Sequence, residues 1–190
     1  MGNVMDYLEW RGDLTFDQSP FNDVDNVILS QLAYVNFRDV IPSVQMNKGI
    51  TLKAAAQLFF DLHTEEELMQ DKSFIKDAPK LLKKAAQTNR FRDVILSDYV
   101  DMVDETLEKQ FGAFHIKLSP QCTYVAFRGT DDTLVGWKED FNMSFISPVP
   151  SQEDAVKYLD DTCSYIRGKL YVGGHSKGGN LAIYSAIHCS

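Results

Sequence analysis

The spacing of apolar side chains predicts a helical N-terminal segment over residues 1–90. After Pro20 and Asp23, apolar residues recur every three or four positions with polar residues between them, as on one face of an amphipathic helix. The residues of this stripe are Val24, Val27, Ile28, Leu32 and Val35. We therefore expect a helix that begins near Asp23 and packs its apolar face on the rest of the protein.

Capping residues predict further helices in this segment. Thr51 precedes a run with helical spacing and is placed to cap it. Thr64 and Glu67 have the spacing of a capping box ahead of Met69. Pro79 stands where the first turn of a helix accepts proline. Together these signals indicate a helical layer.

Beyond residue 90 the pattern changes to alternating strands and helices. Short runs rich in β-branched and aromatic residues predict strands. These strands are expected over Tyr99–Thr106, Phe111–Leu118, Thr123–Phe127, Phe141–Ile146 and Leu170–Gly173. One helix is expected to begin at Ser151 and to end by Gly168, and another, around Leu181, to run to the end of the chain. The alternation implies an α/β fold with helices flanking a sheet.

The composition is that of an ordinary globular protein. The chain has 190 residues, of which 44% are hydrophobic and 12% aromatic. Its 19 basic and 27 acidic residues give a formal charge of −8, and the basic residues form no cluster. Because a net negative charge repels the phosphate backbone, nucleic acid is not expected as a partner.

Signals for export, membrane insertion and metal binding are missing from the sequence. The segment Met1–Trp10 lacks both the basic start and the apolar run of a secretory signal. No stretch approaches the ~18 consecutive apolar residues of a membrane span. Cys122, Cys163 and Cys189 are spaced too widely for a zinc motif and are expected to be reduced thiols. We expect a soluble, cytoplasmic protein that needs no cofactor.

The strongest chemical signal is a G-x-S-x-G pentad at residues 174–178, with Ser176 at its centre. A strand is expected before the pentad and a helix after it, which is the context of a nucleophile elbow. Gly174 and Gly178 lack the Cβ atoms that would collide with backbone at so sharp a turn, and Gly179 extends the glycine run. We predict that Ser176 is a nucleophile and that His175 beside it is a packing residue. The alternative is a strand-to-helix turn with an inert serine.

A second motif, FRGT at residues 127–130, ends a predicted strand and offers candidates for an oxyanion hole. Acyl transfer places negative charge on the former carbonyl oxygen, which needs preorganised hydrogen-bond donors. The backbone N–H of Lys177 is one candidate, and the N–H and hydroxyl of Thr130 are the other. The alternative for Thr130 is an ordinary turn threonine. For Arg128 and Asp140 we favour a structural ion pair.

These motifs carry a resemblance to known proteins. The FRGT motif, Trp137 and Asp140 after it, and the GHSKGG elbow at residues 174–179 resemble the class-three (fungal-type) lipases of the α/β-hydrolase superfamily. The opening Asn3–Leu8 and residues 128–141 resemble more closely a bacterial family of uncharacterised α/β-hydrolase-like proteins related to those lipases. The resemblance covers essentially the whole chain.

The resemblance implies a mixed α/β-hydrolase-like sheet with flanking helices, in which residues 91–190 are the N-terminal part of the hydrolase domain. It implies Ser176 as the nucleophile and Thr130 and Lys177 as oxyanion-hole residues. It also implies Asp140 as a structural aspartate behind the loop. It does not imply a substrate.

The sequence departs from the pattern of α/β-hydrolases in one respect. In those enzymes the triad acid and then the histidine follow the serine, whereas only 14 residues follow Ser176. His188 would lie about 18 Å from Ser176 along the next helix, and His63 and His115 precede the serine, against the family order. We therefore expect a fold truncated after the elbow, with the acid and base encoded beyond Ser190 and little activity in these residues alone.

These inferences predict a serine hydrolase of the lipase/esterase type that cleaves an ester or thioester of a small molecule or lipid through an acyl-enzyme. The alternative is a non-catalytic, hydrolase-like scaffold that binds an acyl ligand or a partner. A gene that continues past Ser190 with a further Asp and His favours the enzyme, and a stop codon there favours the scaffold. The strand Leu170–Gly173 is expected to leave one backbone edge unpaired, through which the chain self-associates.

Overall fold

The computed structural model describes residues 2–44, 48–64, 67–68, 77–131 and 133–190. Within these ranges lie seven helices and a five-stranded sheet. The helices are α1 (Val4–Arg11), α2 (Asp23–Leu32), α3 (Leu52–Leu62), α4 (Ala78–Ala85), α5 (Leu134–Asn142), α6 (Pro150–Cys163) and α7 (Lys177–His188). The strands are β1 (Gly49–Thr51), β2 (Ile95–Asp104), β3 (Lys109–Ser119), β4 (Cys122–Phe127) and β5 (Lys169–Gly174). The protein is therefore an α/β protein, as the sequence predicts.

The sheet is mixed, and its strands are arranged in the order in which they occur along the chain. β1 to β4 are antiparallel neighbours, and β5 is parallel to β4, with Phe127 opposite Gly174. Among the described residues β5 pairs only with β4 and forms one edge of the sheet. The parallel pair brings the carboxyl ends of β4 and β5 together, which is where ligands bind in open α/β sheets.

The two faces of the sheet pack against different helices, because successive side chains of a strand point to opposite faces. Phe114 and Ile116 of β3 belong to a core that they share with the N-terminal helices, including Leu29 of α2. Phe111 and Ala113 of the same strand belong to a second core with α6 and α7. The sheet is thus the middle layer of three.

The N-terminal helices begin at the caps that the sequence predicts. The Oγ1 of Thr51 accepts a backbone N–H from the first turn of α3 at 3.2 Å. Thr64 and Glu67 form the expected capping box, whereas Met69 behind it lies outside the described residues. Pro79 occupies the first turn of α4. Local hydrogen bonds at these sites are determined by neighbouring residues, which is why the sequence predicts them.

The helix α2 is amphipathic as predicted, but its buried face differs from the expected stripe. Val24 and Val27 are 38% and 42% exposed, and Val35 lies beyond the last residue of the helix. Leu29 takes part in the buried face, which moves the centre of that face away from the two valines. The buried apolar residues are Ile28, Leu29 and Leu32.

The strand predicted over Phe141–Ile146 is wrong, because α5 includes its first two residues and turns follow. Thr133 caps α5 by accepting a backbone N–H from the first turn at 3.2 Å. The apolar residues repeat with helical spacing only when the window is extended back to Leu134. A window of six residues is too short to distinguish a helix from a strand.

Several boundaries differ from the predictions by a few residues. α6 begins at Pro150, with Val149 rather than Ser151 as its N-cap, and it ends at Cys163, well before Gly168. β2 and β3 begin four and two residues earlier than predicted. β5 is only partly buried, because it is an edge strand in the described sheet.

A buried ion pair connects the N-terminal helices to the segment before β2. The Nε of Arg90 donates to Oδ1 of Asp25 at 2.7 Å, and both side chains are fully buried. The guanidinium also donates to the carbonyl oxygens of Ser19 and Pro20, each at 3.1 Å. The hydroxyl of Tyr7 donates to the same carboxylate at 3.0 Å. This cluster fixes α1 and α2 against each other.

Candidate active site

Ser176 lies at a sharp turn between β5 and α7, and its backbone is strained. Its φ and ψ angles are 56° and −125°, a region that residues other than glycine rarely occupy. Such a conformation persists only where the surrounding structure holds it in place. The residue is exposed at the end of β5. A strained serine between a strand and a helix is the backbone geometry of a nucleophile elbow.

Close backbone contacts explain the glycines of the pentad. A Cβ atom at Gly174 would lie 2.4 Å from the carbonyl carbon of Gly178, and one at Gly178 would lie 2.2 Å from the carbonyl oxygen of Phe127. Side chains at these positions would push the first turn of α7 away from β4. The glycines therefore allow the turn that carries Ser176 to approach the end of β4.

The loop after β4 contacts the elbow directly. A Cβ atom at Gly129 would lie 2.4 Å from the carbonyl oxygen of His175 and 2.2 Å from the hydroxyl oxygen of Tyr34. Only glycine allows so close an approach between the loop that carries Thr130 and the turn that carries Ser176. The two sequence motifs are thus neighbours in the structure.

The hydroxyl of Thr130 is held by Asp140 of α5. Its Oγ1 lies 2.8 Å and 2.7 Å from the two carboxylate oxygens. A hydroxyl group has one proton to donate, so this hydroxyl is engaged and the N–H of Thr130 is the remaining candidate donor. Asp140 thus connects the Thr130 loop to α5.

The backbone N–H and the side chain of Lys177 have different environments. Its N–H belongs to the first turn of α7, where backbone N–H groups have no acceptor within the helix. Its side chain is buried, and the Nζ atom donates to Oε2 of Glu139 at 2.7 Å. The N–H, not the buried ammonium group, is therefore the candidate oxyanion donor of Lys177.

The predicted ion pair between Arg128 and Asp140 is wrong. Arg128 pairs instead with Asp101 of β2. The side chain reaches that strand by crossing β3 at Gly112, where an added Cβ atom would lie 3.1 Å from the Nε of Arg128. Asp140 is consequently available for Thr130.

His175 has a partner of its own beside the elbow. The hydroxyl of Tyr34 lies 2.9 Å from its Nδ1, and the two rings meet edge to face at 5.7 Å. Burial raises the pKa of Tyr34 to about 12, so the phenol stays protonated at neutral pH and can donate to Nδ1. In that arrangement the proton of the neutral imidazole lies on Nε2.

The other three histidines have partners or positions elsewhere. The Nδ1 of His63 lies 2.9 Å from a carbonyl oxygen in the last turn of α3. His115 lies in β3 with its Nε2 2.9 Å from Oγ1 of Thr162, and burial lowers the pKa of His115 to about 4. His188 is the last residue of α7, about 17 Å along the helix from its start. Among the described residues, no histidine is hydrogen-bonded to Ser176.

The described residues hold no cluster of three His, Cys, Asp or Glu side chains that could bind a metal ion. The cysteines Cys122, Cys163 and Cys189 are free. None of the helices in the described ranges is long and apolar enough to cross a membrane.

Two buried residues of this region were not predicted. Glu139 lies three residues after Gly136 on the buried face of α5. In a segment predicted as a helix, this spacing would place the two residues on the same face. Tyr34 follows the end of α2, and no sequence feature connects it with the elbow.

The region that carries the sheet and the elbow matches a family model. The Mbeg1-like model covers residues 85–190, which is more than half of the chain and includes both the loop after β4 and Ser176. The chain therefore belongs to the Mbeg1-like family, a lipase-like family. No curated protein and no solved structure matches the chain.

Proposed function

We propose that the protein is a serine hydrolase of the lipase/esterase type, in which Ser176 attacks an ester or thioester and forms an acyl-enzyme. The observation that carries the proposal is the strained, exposed Ser176 between β5 and α7. Strain of this kind clusters at functional sites, whereas an inert turn serine needs none. Membership of a lipase-like family supports the same class of reaction, and we propose the class-three lipases as relatives. Covalent labelling of Ser176 by a fluorophosphonate tests the proposal.

The proposed oxyanion hole consists of two backbone N–H groups. The N–H of Lys177 lies at the positive end of the α7 dipole, and the N–H of Thr130 lies in the adjacent loop. The close approach of Gly129 to the elbow supports their convergence. Removal of one such donor costs ~3–4 kcal/mol of transition-state stabilisation in enzymes of this type.

Replacing Thr130 with valine tests how this residue acts. The variant loses the hydrogen bond to Asp140, so we expect a stability loss of about 1–3 kcal/mol and a fall in the labelling rate of Ser176 of less than ~10²-fold. Thermal unfolding and the kinetics of fluorophosphonate labelling measure the two effects. Thr130→Ser keeps the hydroxyl and should behave as wild type. A rate loss of ~10²–10³-fold at unchanged stability would instead make the hydroxyl a direct oxyanion donor.

We propose that the general base and its acid partner lie outside this sequence, after Ser190 and in the order acid then histidine. The positions of the four histidines support this, because each of them either binds another group or lies along a helix away from Ser176. A serine without a base is a poor nucleophile at neutral pH. Catalysis by residues 1–190 alone is therefore expected to be slow.

Exposed apolar side chains beside the site support a substrate with an apolar part. Leu134, Phe141 and Phe145 are between 63% and 81% exposed, on or just after the helix that follows the Thr130 loop. Monomeric proteins rarely expose several large apolar side chains together without a use for them. We propose a small-molecule or lipid ester as the substrate class.

One observation favours a second candidate function. Because no histidine among the described residues is bonded to Ser176, the protein could act as a scaffold that binds an acyl ligand or partner without cleaving it. A scaffold would bind a fluorescent fatty acid and would resist fluorophosphonate labelling even when residues encoded after Ser190 are present. The enzyme would be labelled under the same conditions.

We predict that the chain self-associates through β5. Within the described sheet, the second edge of this strand presents N–H and C=O groups without a neighbouring strand. Light scattering after size exclusion is expected to show a mass that rises with concentration. Leu170→Lys places a charge on this partly exposed strand and should shift the chain towards monomer, whereas Trp10→Lys on the exposed face of α1 should not. A monomer at every concentration contradicts the prediction.

A further inference from the structure

A buried ion pair lies directly behind the proposed oxyanion hole. The Nζ of Lys177 lies 2.7 Å from Oε2 of Glu139 and 2.9 Å from the carbonyl oxygen of Gln110. The side chains of the pair are 1% and 0% exposed. The proposed oxyanion hole uses only the backbone N–H of Lys177 and assigns no role to its ammonium group.

The carboxylate of Glu139 joins four elements of the fold. Besides Lys177 of α7, it accepts the N–H of Gln110 in β3 at 3.1 Å and the N–H of Ser151 in the first turn of α6 at 3.0 Å. Glu139 itself belongs to α5. The Lys177 side chain is thereby fixed relative to three other elements.

The next residue of α5 holds the other side of the site. Asp140 accepts the hydrogen bond of the Thr130 hydroxyl, while Glu139 accepts that of the Lys177 ammonium. Two consecutive carboxylates on one helix therefore hold the two residues whose N–H groups form the proposed oxyanion hole.

We infer that Glu139 and Lys177 are a positioning pair that sets the separation of the two oxyanion donors, an inference that rests on the proposed function. An oxyanion hole is effective because its donors are preorganised before charge develops. A displacement of ~1 Å in such a site can cost ~10²-fold in rate. Because α5 is hydrogen-bonded to both Thr130 and Lys177, it holds the Thr130 loop at a fixed distance from the elbow.

Stability alone does not explain the choice of charged residues. A buried ion pair is often no more stable than an apolar pair of similar volume, whereas the loss of one partner leaves an uncompensated buried charge. The effects on stability and on position can therefore be separated by removing both charges at once.

The variants Lys177→Met and Lys177→Met/Glu139→Gln test the inference. We expect the single variant to melt at a lower temperature and the double variant to recover part of that loss, because it leaves no unpaired buried charge. The labelling of Ser176 by a fluorophosphonate should nevertheless stay ~10–10²-fold slower in the double variant, with unchanged affinity for the reagent. The exposed pair Lys138 and Glu108, at 3.0 Å, provides the control: Lys138→Met/Glu108→Gln should leave rate and melting temperature unchanged.

A second measurement does not require activity. In protein labelled with [¹⁵N]threonine, the amide resonance of Thr130 should shift in the double variant and stay in place in the control. A double variant that labels at the wild-type rate and leaves the Thr130 resonance unmoved overturns the inference and leaves the proposed function intact. Failure to label in wild-type protein that includes the residues encoded after Ser190 counts against the proposed function, while the Thr130 resonance still decides the positioning role. If the double variant does not fold, Lys177→Arg, which keeps the charge, is measured in the same two ways.

Discussion

In protein that includes the residues encoded after Ser190, replacing Ser176 with alanine is expected to abolish covalent labelling by a fluorophosphonate. The reagent forms a bond to the oxygen of an activated serine, and alanine has no oxygen at that place. The melting temperature should change little, because a φ of 56° is as strained for alanine as for serine. Intact-protein mass spectrometry measures the labelled fraction directly.

The matched control is Ser164→Ala. Ser164 is an exposed serine at the end of α6, but its backbone is ordinary, with φ and ψ of −57° and −26°. This variant should be labelled like the wild-type protein. Equal labelling of Ser176→Ala and wild type would contradict the assignment of Ser176 as the nucleophile.

The rate of labelling tests the position of the general base. We expect the rate to rise by about 10²–10⁴-fold when residues encoded after Ser190 are included, if they supply the histidine. Rapid labelling of residues 1–190 alone would show that a histidine within them serves as the base. Substitution of His63, His115 and His175 in turn would then identify it.

The elbow could be predicted from the sequence because adjacent residues determine its geometry. Gly174 and Gly178 contact each other and the end of β4, where a Cβ atom would collide with backbone. Their spacing in the sequence therefore predicts the turn. The cap at Thr51 is local in the same sense, because one hydroxyl satisfies an N–H three residues later. Interactions between residues only a few positions apart leave a pattern that can be recognised in a single sequence.

The contacts that hold the site could not be predicted, because their partners are distant in the sequence. Glu139 precedes Lys177 by 38 residues, and Tyr34 precedes His175 by 141. Charged residues are usually exposed, so a buried lysine and glutamate look like two surface residues until the fold brings them together. Arg128 shows the same difficulty, because its partner lies across β3 rather than nearby along the chain.

Replacing Asp25 with alanine is expected to destabilise the protein by about 3–5 kcal/mol. The carboxylate is the only anionic group that the described structure places on the guanidinium of Arg90, and both side chains are fully buried. Its removal leaves a buried positive charge that backbone carbonyl groups and the Phe16 ring, 4.2 Å from the guanidinium carbon, must stabilise. Since domains are commonly stable by about 5–15 kcal/mol, the loss is a large fraction of the total. Urea denaturation should show a lower midpoint at a similar slope.

The exposed pair of Asp77 and Lys80 is the control for this substitution. Their side chains are 72% and 78% exposed, so Asp77→Ala should cost less than about 1 kcal/mol. The double variant Asp25→Leu/Arg90→Met leaves no charge behind and should recover part of the loss, because an apolar pair removes the buried charges but not the need of the carbonyl groups around Arg90 for a donor. A loss below about 1 kcal/mol in Asp25→Ala would show instead that the carbonyl groups and the Phe16 ring around Arg90 are sufficient to stabilise its charge.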